Sequence, residues 1–433
     1  MSFEWRETTL GESLDINPFY SIRKGTLAKK ISMADLEPFT RKITNYEVAE
    51  FNGGSKFKNG DTLVARITPC LENGKTAYVN ILEKDEIGFG STEFIVLRGK
   101  EGISDNKYVY YLSISPEFRN VAIKSMTGTS GRQRAQVDAI SKWQFRLPPI
   151  KEQKEISALL SSLDDKIELN IAINKNLEEM AQALFKRWFV DFEFPNENGE
   201  PYKSSGGEFE ESELGLIPKG WKVGRATDIF DVQSGGTPKT STSEYWNGEI
   251  PFFTPKDCSN SLYVIETEKT ITEDGLNNCN SKLFKTDTVF ITARGTVGKV
   301  ALAGRDMAMN QSCYALVAKS GYTQKYVFHL TQQLVNVLRK NASGAVFDAI
   351  TVSTFQNLKT TLPDIELVRH FDGLVNGLYS LLLEKANETQ TLQQLRDTLL
   401  PKLMSGEIRV PVEQDHSVPD LPMVAESSTI YQS

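Results

Sequence analysis

The amino-acid sequence predicts an α+β chain in which two pseudo-symmetric α/β modules are separated by two long helices forming an antiparallel coiled coil. Three observations carry that expectation. From Ile156 to Trp188, seam positions alternate in spacings of four and three, the pattern of a helix that needs a partner helix. From Phe371 to Leu403 the same alternation returns, each position 215 residues later and without a gap. Outside the helices, short stretches of the first half have counterparts in the second, at offsets wandering from 216 to 226 residues. Loops therefore differ while a framework persists, which is the mark of a diverged duplication.

The first seam follows Pro148-Pro149, where a missing N–H costs nothing at a helix start. It comprises Ile156, Leu160, Leu163, Ile167, Asn170, Asn174, Leu177, Ala181, Leu184 and Trp188. The second comprises Phe371, Val375, Leu378, Leu382, Lys385, Thr389, Leu392, Arg396, Leu399 and Leu403. Polar residues interrupt both near the middle, Asn170 and Asn174 matching Lys385 and Thr389. In an antiparallel pair the middles meet, so these four are expected to form one polar layer that fixes register. Ile171 lies off the strict seam on the same face, as in an ordinary amphipathic core helix. The division that follows is a first module over 1–150, a long helix over 151–195 and a linker over 196–218. A second module over 219–365, a second helix over 366–410 and a tail over 411–433 complete it.

Within the modules, Trp5-Arg6 answers Trp221-Lys222, and the stretch Gly60 to Ala65 answers Thr286 to Ile291. Gly74 to Ala77 answers Gly298 to Ala301, and Lys107 to Leu112 answers Lys325 to Leu330. Leu63 to Ile67, Thr76 to Val79 and Phe94 to Leu97 read as strands, with Asn73-Gly74 as a hairpin signal. Val289 to Thr292, Val300 to Leu302 and Cys313 to Val317 are their counterparts. Lys107 to Lys124 and Gln324 to Lys340 read as helices. Residues 196–218 are polar, acidic and rich in Gly, Pro and Ser, hence a linker. The tail lacks periodicity and is expected to be frayed or disordered.

At 433 residues, 39% apolar and 24% charged, the chain is expected to be soluble and to hold more than one domain. No apolar run approaches the roughly 18 residues of a membrane span, and the N-terminal stretch does not read as a signal peptide. Cys70, Cys258, Cys279 and Cys313 are scattered, which fits a reduced cytoplasm better than a zinc site or disulfide framework. The net charge of −7 is unevenly spread. Residues 1–150 carry 21 basic against 18 acidic side chains, and 219–365 carry 16 against 13. Residues 151–218 carry 7 against 15, and 366–433 carry 5 against 10. Acidic helices argue against laying those helices along phosphates, but the modules are locally basic, and local charge is what a phosphate feels.

No catalytic constellation assembles. Asn17-Pro18-Phe19-Tyr20 resembles the adenine-gripping motif of amino-methyltransferases, but its second proline is missing and no glycine-rich cofactor loop precedes it. Gly295-Thr296-Val297-Gly298-Lys299 resembles half a phosphate loop, yet Ala293 and Val300 stand where Gly and Ser or Thr are required. It reads as a turn between strands. His329, His370 and His416 have no metal or triad spacing, and His329 reads as a packed helix residue. What remains is recognition chemistry. The first module offers Lys56 and Lys58 beside a glycine-rich loop, Arg66 in a strand and Lys75 in a turn. Its loop Thr127-Gly128-Thr129-Ser130-Gly131-Arg132-Gln133-Arg134 adds hydroxyls and arginines. The second offers Ser234-Gly235-Gly236-Thr237-Pro238-Lys239, then Lys256, Arg294, Lys299, Asn310 and Gln311. Arg, Asn and Gln can read base edges, whereas Ser, Thr and Lys suit phosphates. For any one of them alone, a solvated surface role is the plainer reading.

The helix ending Leu184-Phe185-Lys186-Arg187-Trp188-Phe189-Val190-Asp191-Phe192 is similar to that of specificity subunits of Type I restriction–modification systems. So are Gly220-Trp221, Gly235-Gly236-Thr237-Pro238, Tyr245-Trp246-Asn247-Gly248, Ile250-Pro251 and Leu399-Leu400-Pro401-Lys402-Leu403. The resemblance covers nearly the whole chain. It implies two target-recognition domains, each reading one half of a bipartite site in double-stranded DNA. It also implies helices that space these domains and dock two modification subunits. Catalysis then belongs to separate chains: modification subunits that use S-adenosylmethionine to methylate adenine N6, and restriction subunits that use ATP and Mg²⁺ to translocate and cut DNA. The chain itself is expected to bind no cofactor and no metal, to touch no membrane and to catalyse nothing. A helix of about 35 residues is roughly 50 Å long, enough to hold two modules over half-sites about one DNA turn apart. The first module lacks the Gly-Gly-Thr-Pro and Tyr-Trp elements, so contacts do not transfer to it from the second. Two alternatives stay open: a non-DNA protein-binding scaffold built from a duplicated module, and a self-contained methyltransferase.

Overall fold

The computed structural model describes residues 4–258, 261–319, 321–341 and 349–411. The predicted tail lies outside the described residues from position 412 onward, as does His416. The chain forms two compact units: residues up to Asp165 with those from Gln393, and Lys166–Leu392.

In the first unit, strand Arg6–Thr9 pairs antiparallel with Gln144–Leu147. The short helix Leu10–Ser13 follows, closed by a reciprocal cap between Thr9 and Glu12, which satisfies amides a helix start leaves open. A four-stranded antiparallel sheet then runs in the order Leu14–Ile16, Phe94–Gly99, Thr62–Ala65, Thr76–Tyr78. A second sheet orders Glu47–Glu50, Leu27–Ile31, Gly88–Gly90 and Ser55–Phe57. The expected hairpin pairing exists, but Asn73-Gly74 is not a tight turn, since residues 66–75 all lie between the two strands. Gly74 has φ +75°, and a Cβ there would come within 2.5 Å of the Phe39 ring. The single helix read over 107–124 is two, Asn106–Ile114 and Pro116–Lys124. Ser115 ends the first by donating to the Leu112 carbonyl and caps the second by accepting from the Phe118 amide. Pro116 then suits a first helical position.

The second unit repeats this plan. Lys222–Arg225 pairs with Lys359–Leu362, the helix Ala226–Ile229 follows, and the sheet orders Phe230–Ser234, Cys313–Ala318, Val289–Thr292, Val300–Ala303 and Tyr263–Val264. Gln324–Asn341 is its principal helix. Residues 295–299 form the turn between two antiparallel strands, with Gly295 and Gly298 at φ +78°. The stretch 196–218, expected from its polarity to be a linker, carries the hairpin Phe209–Ser212 with Gly215–Pro218. Phe194 stacks on both Tyr202 (4.6 Å) and Trp221 (5.4 Å). A few well-placed aromatics outweigh the average polarity of the stretch.

The long helices are Ile150–Phe189 and Ile365–Ser405. Within the first unit, Ile156 and Leu160 share a core with Leu400, Leu403 and Met404, and Arg396 Nη1 donates to buried Asp164 (2.8 Å). Leu163 and Leu399 are half-buried there. Within the second unit, Leu177, Ala181, Phe185 and Trp188 share a core with Phe371, Val375, Tyr379 and Leu382. Ile167 is buried, while Leu184, Leu378 and Leu392 are half-buried. Partner numbers fall as residue numbers rise, so each pairing is antiparallel. Ile171 points outward, 53% exposed. The polar layer is connected differently from expectation. Asn170 Nδ2 donates to Glu388 (3.1 Å) and Asn174 Nδ2 to the Leu382 carbonyl (3.3 Å). Lys385 Nζ also donates to Glu388 (2.8 Å). Thr389 Oγ1 is buried without a hydrogen-bond partner among the described residues. Glu388, off the strict seam, is therefore the hub, because an anion can accept from several donors at once.

Candidate nucleic-acid interface

In the first unit the chain leaves strand Leu14–Ile16 through Asn17, whose φ is +53°. Its amide donates to the Val96 carbonyl (2.7 Å) and its Oδ1 accepts from the Val96 amide (3.0 Å). Asn17 is thus a backbone clamp, not an adenine ligand, and asparagine tolerates the left-handed region better than most residues. The next residues bring together a basic and aromatic cluster. Lys56 Nζ donates to the Tyr20 carbonyl (2.7 Å) and sits 5.4 Å from the Phe19 ring. Lys58 Nζ lies 5.2 Å from the Tyr20 ring. The Tyr20 hydroxyl donates to Asp61 (3.2 Å), which Arg98 also holds. Burial pushes the Asp61 carboxyl up, although Arg98 and the Lys58 amide act against it. Beside this cluster opens a cleft of about 730 Å³.

The loop 127–134 is anchored at both ends and open at its tip. Thr127 and Arg134 exchange backbone hydrogen bonds (3.1 and 2.9 Å), and the Gln133 carbonyl accepts from the Thr68 amide (3.0 Å). Arg134 grips Glu93 with three hydrogen bonds of 2.7–3.0 Å. That pair answers its charge, whereas Ser130 and Arg132 are exposed at the tip. Arg66 lies against the loop, its carbonyl accepting from Ala135 (2.8 Å), and its Nε has no hydrogen-bond partner among the described residues. Lys75 Nζ is spent on the Met33 carbonyl (2.8 Å).

In the second unit the equivalent strand, Phe230–Ser234, gives way to Gly235-Gly236. A Cβ on Gly235 would lie 2.2 Å from the Asn310 carbonyl oxygen, and one on Gly236 2.6 Å from the Asn280 amide nitrogen. Only glycine permits that approach. It brings Thr237 onto Gln311, to whose Oε1 its hydroxyl donates. Asn310 Oδ1 accepts from the Ser312 amide (3.0 Å), which holds the turn. Lys239 and Arg294 are exposed. Lys256 lies 3.7 Å from Glu268 with both side chains exposed, a pairing worth little. Lys299 Nζ donates to the Cys258 carbonyl (3.1 Å).

Sequence reasoning missed Phe19, Tyr20 and Arg98 as neighbours of the lysines, and Asn280 beneath the glycines. The signal for the first lies in Asn17 to Tyr20, where the resemblance to a methyltransferase motif masks an aromatic pair. Elsewhere, His329 Nε2 shares a hydrogen bond with the Tyr379 hydroxyl (2.9 Å). Burial holds the His329 imidazole down to about 3, as for a packed side chain. His370 packs edge-on against Trp188 (5.2 Å). Among the described residues no group of three or more His, Cys, Asp or Glu is placed to hold a metal, and no helix is long and apolar enough to cross a membrane.

A family model described as Type I restriction modification DNA specificity domain matches the chain twice, over residues 4–179 and 218–389. The specificity subunit of Type I restriction enzyme HindI from Haemophilus influenzae is 25% identical, covering 94% of this chain and 100% of that protein. The MjaIX specificity subunit from Methanocaldococcus jannaschii is 30% identical over 43% of this chain and 44% of its own length. Among solved structures, the Type I restriction–modification S subunit from M. genitalium covers 93% of this chain and 96% of its own. Its TM-score is 0.54 at 16% identity, a likeness of fold.

Proposed function

Because the chain belongs to the Type I restriction modification DNA specificity domain family, we propose that its two modules divide one recognition task, each reading half of a bipartite, asymmetric site in double-stranded DNA. The chain is the DNA specificity subunit of a Type I restriction–modification complex. The observation that carries the division of labour is the pairing of a shared framework with unlike tips. Both modules order the same four strands, yet one ends them in Phe19 and lysines and the other in Gly235-Gly236-Thr237 against Gln311. The DNA-facing set is Lys56, Lys58, Arg66, Ser130 and Arg132 in the first module. Thr237, Lys239, Arg294, Asn310 and Gln311 serve in the second. Arg134, Gln133, Lys75 and Lys299 act mainly by holding loops, and Lys256, whose exposed pairing with Glu268 is weak, stays available to a phosphate.

The long helices dock two modification subunits, a role supported by apolar side chains that they leave in solvent, among them Leu169, Ile171 and Met180. The seam positions hold the pair, with Leu160, Leu163 and Leu399 in the first unit and Ile167, Leu177, Leu184, Val375, Leu378, Leu382 and Leu392 in the second. Adenine-N6 methylation with S-adenosylmethionine belongs to the modification subunits. ATP- and Mg²⁺-dependent translocation and cleavage belong to the restriction subunits, and the complex works on cytoplasmic DNA. A protein-binding scaffold with incidental basic loops has no observation in its favour once both modules match a DNA specificity family.

The test is a module exchange. Replacing residues 219–365 with the equivalent module of a related protein should change one half-site only, read by methylation sequencing of a host genome carrying the complex. Change in both half-sites, or in neither, would overturn the assignment of one reader per module.

A further inference from the structure

Resting on the reading of the modules as DNA readers, we propose that Phe19 is a base-stacking finger of the first module, wedged into a base step of its half-site while Lys56 and Lys58 hold flanking phosphates. Phe19 is 89% exposed, the most exposed large apolar side chain among the described residues. Burial is what drives folding, and this ring joins none of the apolar cores; its neighbour is the Lys56 ammonium. Nor is it on a slack tip. Upstream, Asn17 is clamped to Val96 by two hydrogen bonds of 2.7 and 3.0 Å, and Pro18 stiffens the step that follows. Downstream, Lys56 fastens the Tyr20 carbonyl. The backbone at residue 19 is therefore gripped on both sides while its ring stays exposed beside the Lys56 ammonium.

The surroundings say what the ring is for. Lys56 Nζ lies 5.4 Å from the Phe19 ring and Lys58 Nζ 5.2 Å from the Tyr20 ring. Among the described residues neither the Lys58 nor the Lys56 ammonium has a carboxylate partner; Lys56 donates to the Tyr20 carbonyl and also lies 5.5 Å from the Phe51 ring. An exposed ring flanked by uncompensated cations matches a base flanked by phosphates. Pseudo-symmetry adds an independent argument. At the exit of the equivalent strand, the second module presents Thr237 hydrogen-bonded to Gln311. The two copies thus differ in chemistry at one and the same point of one framework, as readers of unlike half-sites must.

The test uses the full chain assembled with its modification subunits. The probe is a short duplex bearing the site found by methylation sequencing, with 2-aminopurine placed in turn along the first half-site. Wild type and Phe19→Tyr should change the 2-aminopurine emission at one step. Phe19→Ala should abolish that change and bind roughly tenfold more weakly, with an unaltered thermal melt because the side chain is exposed. Equal affinity and emission for wild type and Phe19→Ala would overturn the finger while leaving the DNA reading intact. So would a Phe19→Ala chain that loses its modification subunits instead of its DNA, which would make the ring a protein contact. Absence of site-specific binding by the wild-type complex would overturn the DNA reading and the finger together.

Discussion

At one equivalent position the two modules lock onto the long helices with different chemistry. In the first, Tyr111 of helix Asn106–Ile114 donates its hydroxyl to Asp164 (2.6 Å), and Arg396 holds the same carboxylate at 2.8 Å. In the second, His329 occupies the place of Tyr111, Tyr379 that of Asp164, and Ala181 that of Arg396, by the repeat offsets of 218 and 215. There His329 and Tyr379 share a hydrogen bond. A charged, buried lock and a neutral one therefore solve the same packing problem. The duplication preserved the geometry of attachment and let its electrostatics drift, just as it preserved the sheet and let the strand exits diverge. Replaceable chemistry on a fixed frame is how one module could be duplicated and then specialised.

The charged lock should be the more brittle. Arg396→Met leaves Asp164 buried with, among the described residues, only the Tyr111 hydroxyl for compensation, and an unpaired buried charge costs about 3–5 kcal/mol. Chemical denaturation should show that loss in the unit containing Asp164. Replacing Asp164 by Leu in the same chain should recover much of it, because removing both partners also removes the desolvation penalty. If the single change cost under about 1 kcal/mol, the pair would be acting as a surface ion pair and the contrast between the locks would vanish.

The neutral lock should instead be sensitive to acid. The His329 imidazole is held down to about 3 by burial, against an ordinary value of about 6.5 when unfolded. Between those values the unfolded chain binds a proton that the folded one does not, so stability falls as pH drops. The contribution is complete above about pH 6.5 and lost at about 1.4 kcal/mol per pH unit below it. A thermal or urea titration of the second unit from pH 7 to pH 4 should show the slope, and His329→Gln should flatten it. An unchanged slope in that variant would move the acid sensitivity to other groups.

How much of this was legible beforehand follows from what each feature depends on. The seams were legible because a buried stripe must repeat with the helix, and Ile156 through Trp188 do so without tertiary information. The anchors from Trp5 to Leu112 were legible because two copies of one core constrain each other. The break at Ser115-Pro116 was readable from turn chemistry but was overridden by the apolar pattern around it. The folded stretch 196–218 was not legible from composition, since Phe194, Tyr202, Phe209 and Trp221 pack together across gaps in sequence. The interface was the least legible part. Whether Arg132 or Arg134 stands free depends on where Glu93 lies, and no local pattern states that.

That last pair gives the smallest and sharpest test, because two arginines two residues apart should behave differently. Arg132 is exposed at the tip of the loop, whereas Arg134 is bound bidentately to Glu93. Arg132→Ala should weaken DNA binding directly. If its guanidinium reads a guanine edge, selectivity relaxes at one position of the first half-site by about 1–3 kcal/mol. If it neutralises a phosphate, binding weakens for every sequence and the salt slope falls by about one. The phosphate outcome is expected, since Thr129, Ser130 and Gly131 place hydroxyls and amides in the same tip. Arg134→Ala should act only through loop position, so Glu93→Ala, which breaks the same clamp from the other side, should produce a similar loss. Binding assays across salt concentrations for all three variants decide it. If Glu93→Ala strengthened binding while Arg134→Ala weakened it, Arg134 would be a DNA contact restrained by Glu93, and the tip would have two readers in place of one.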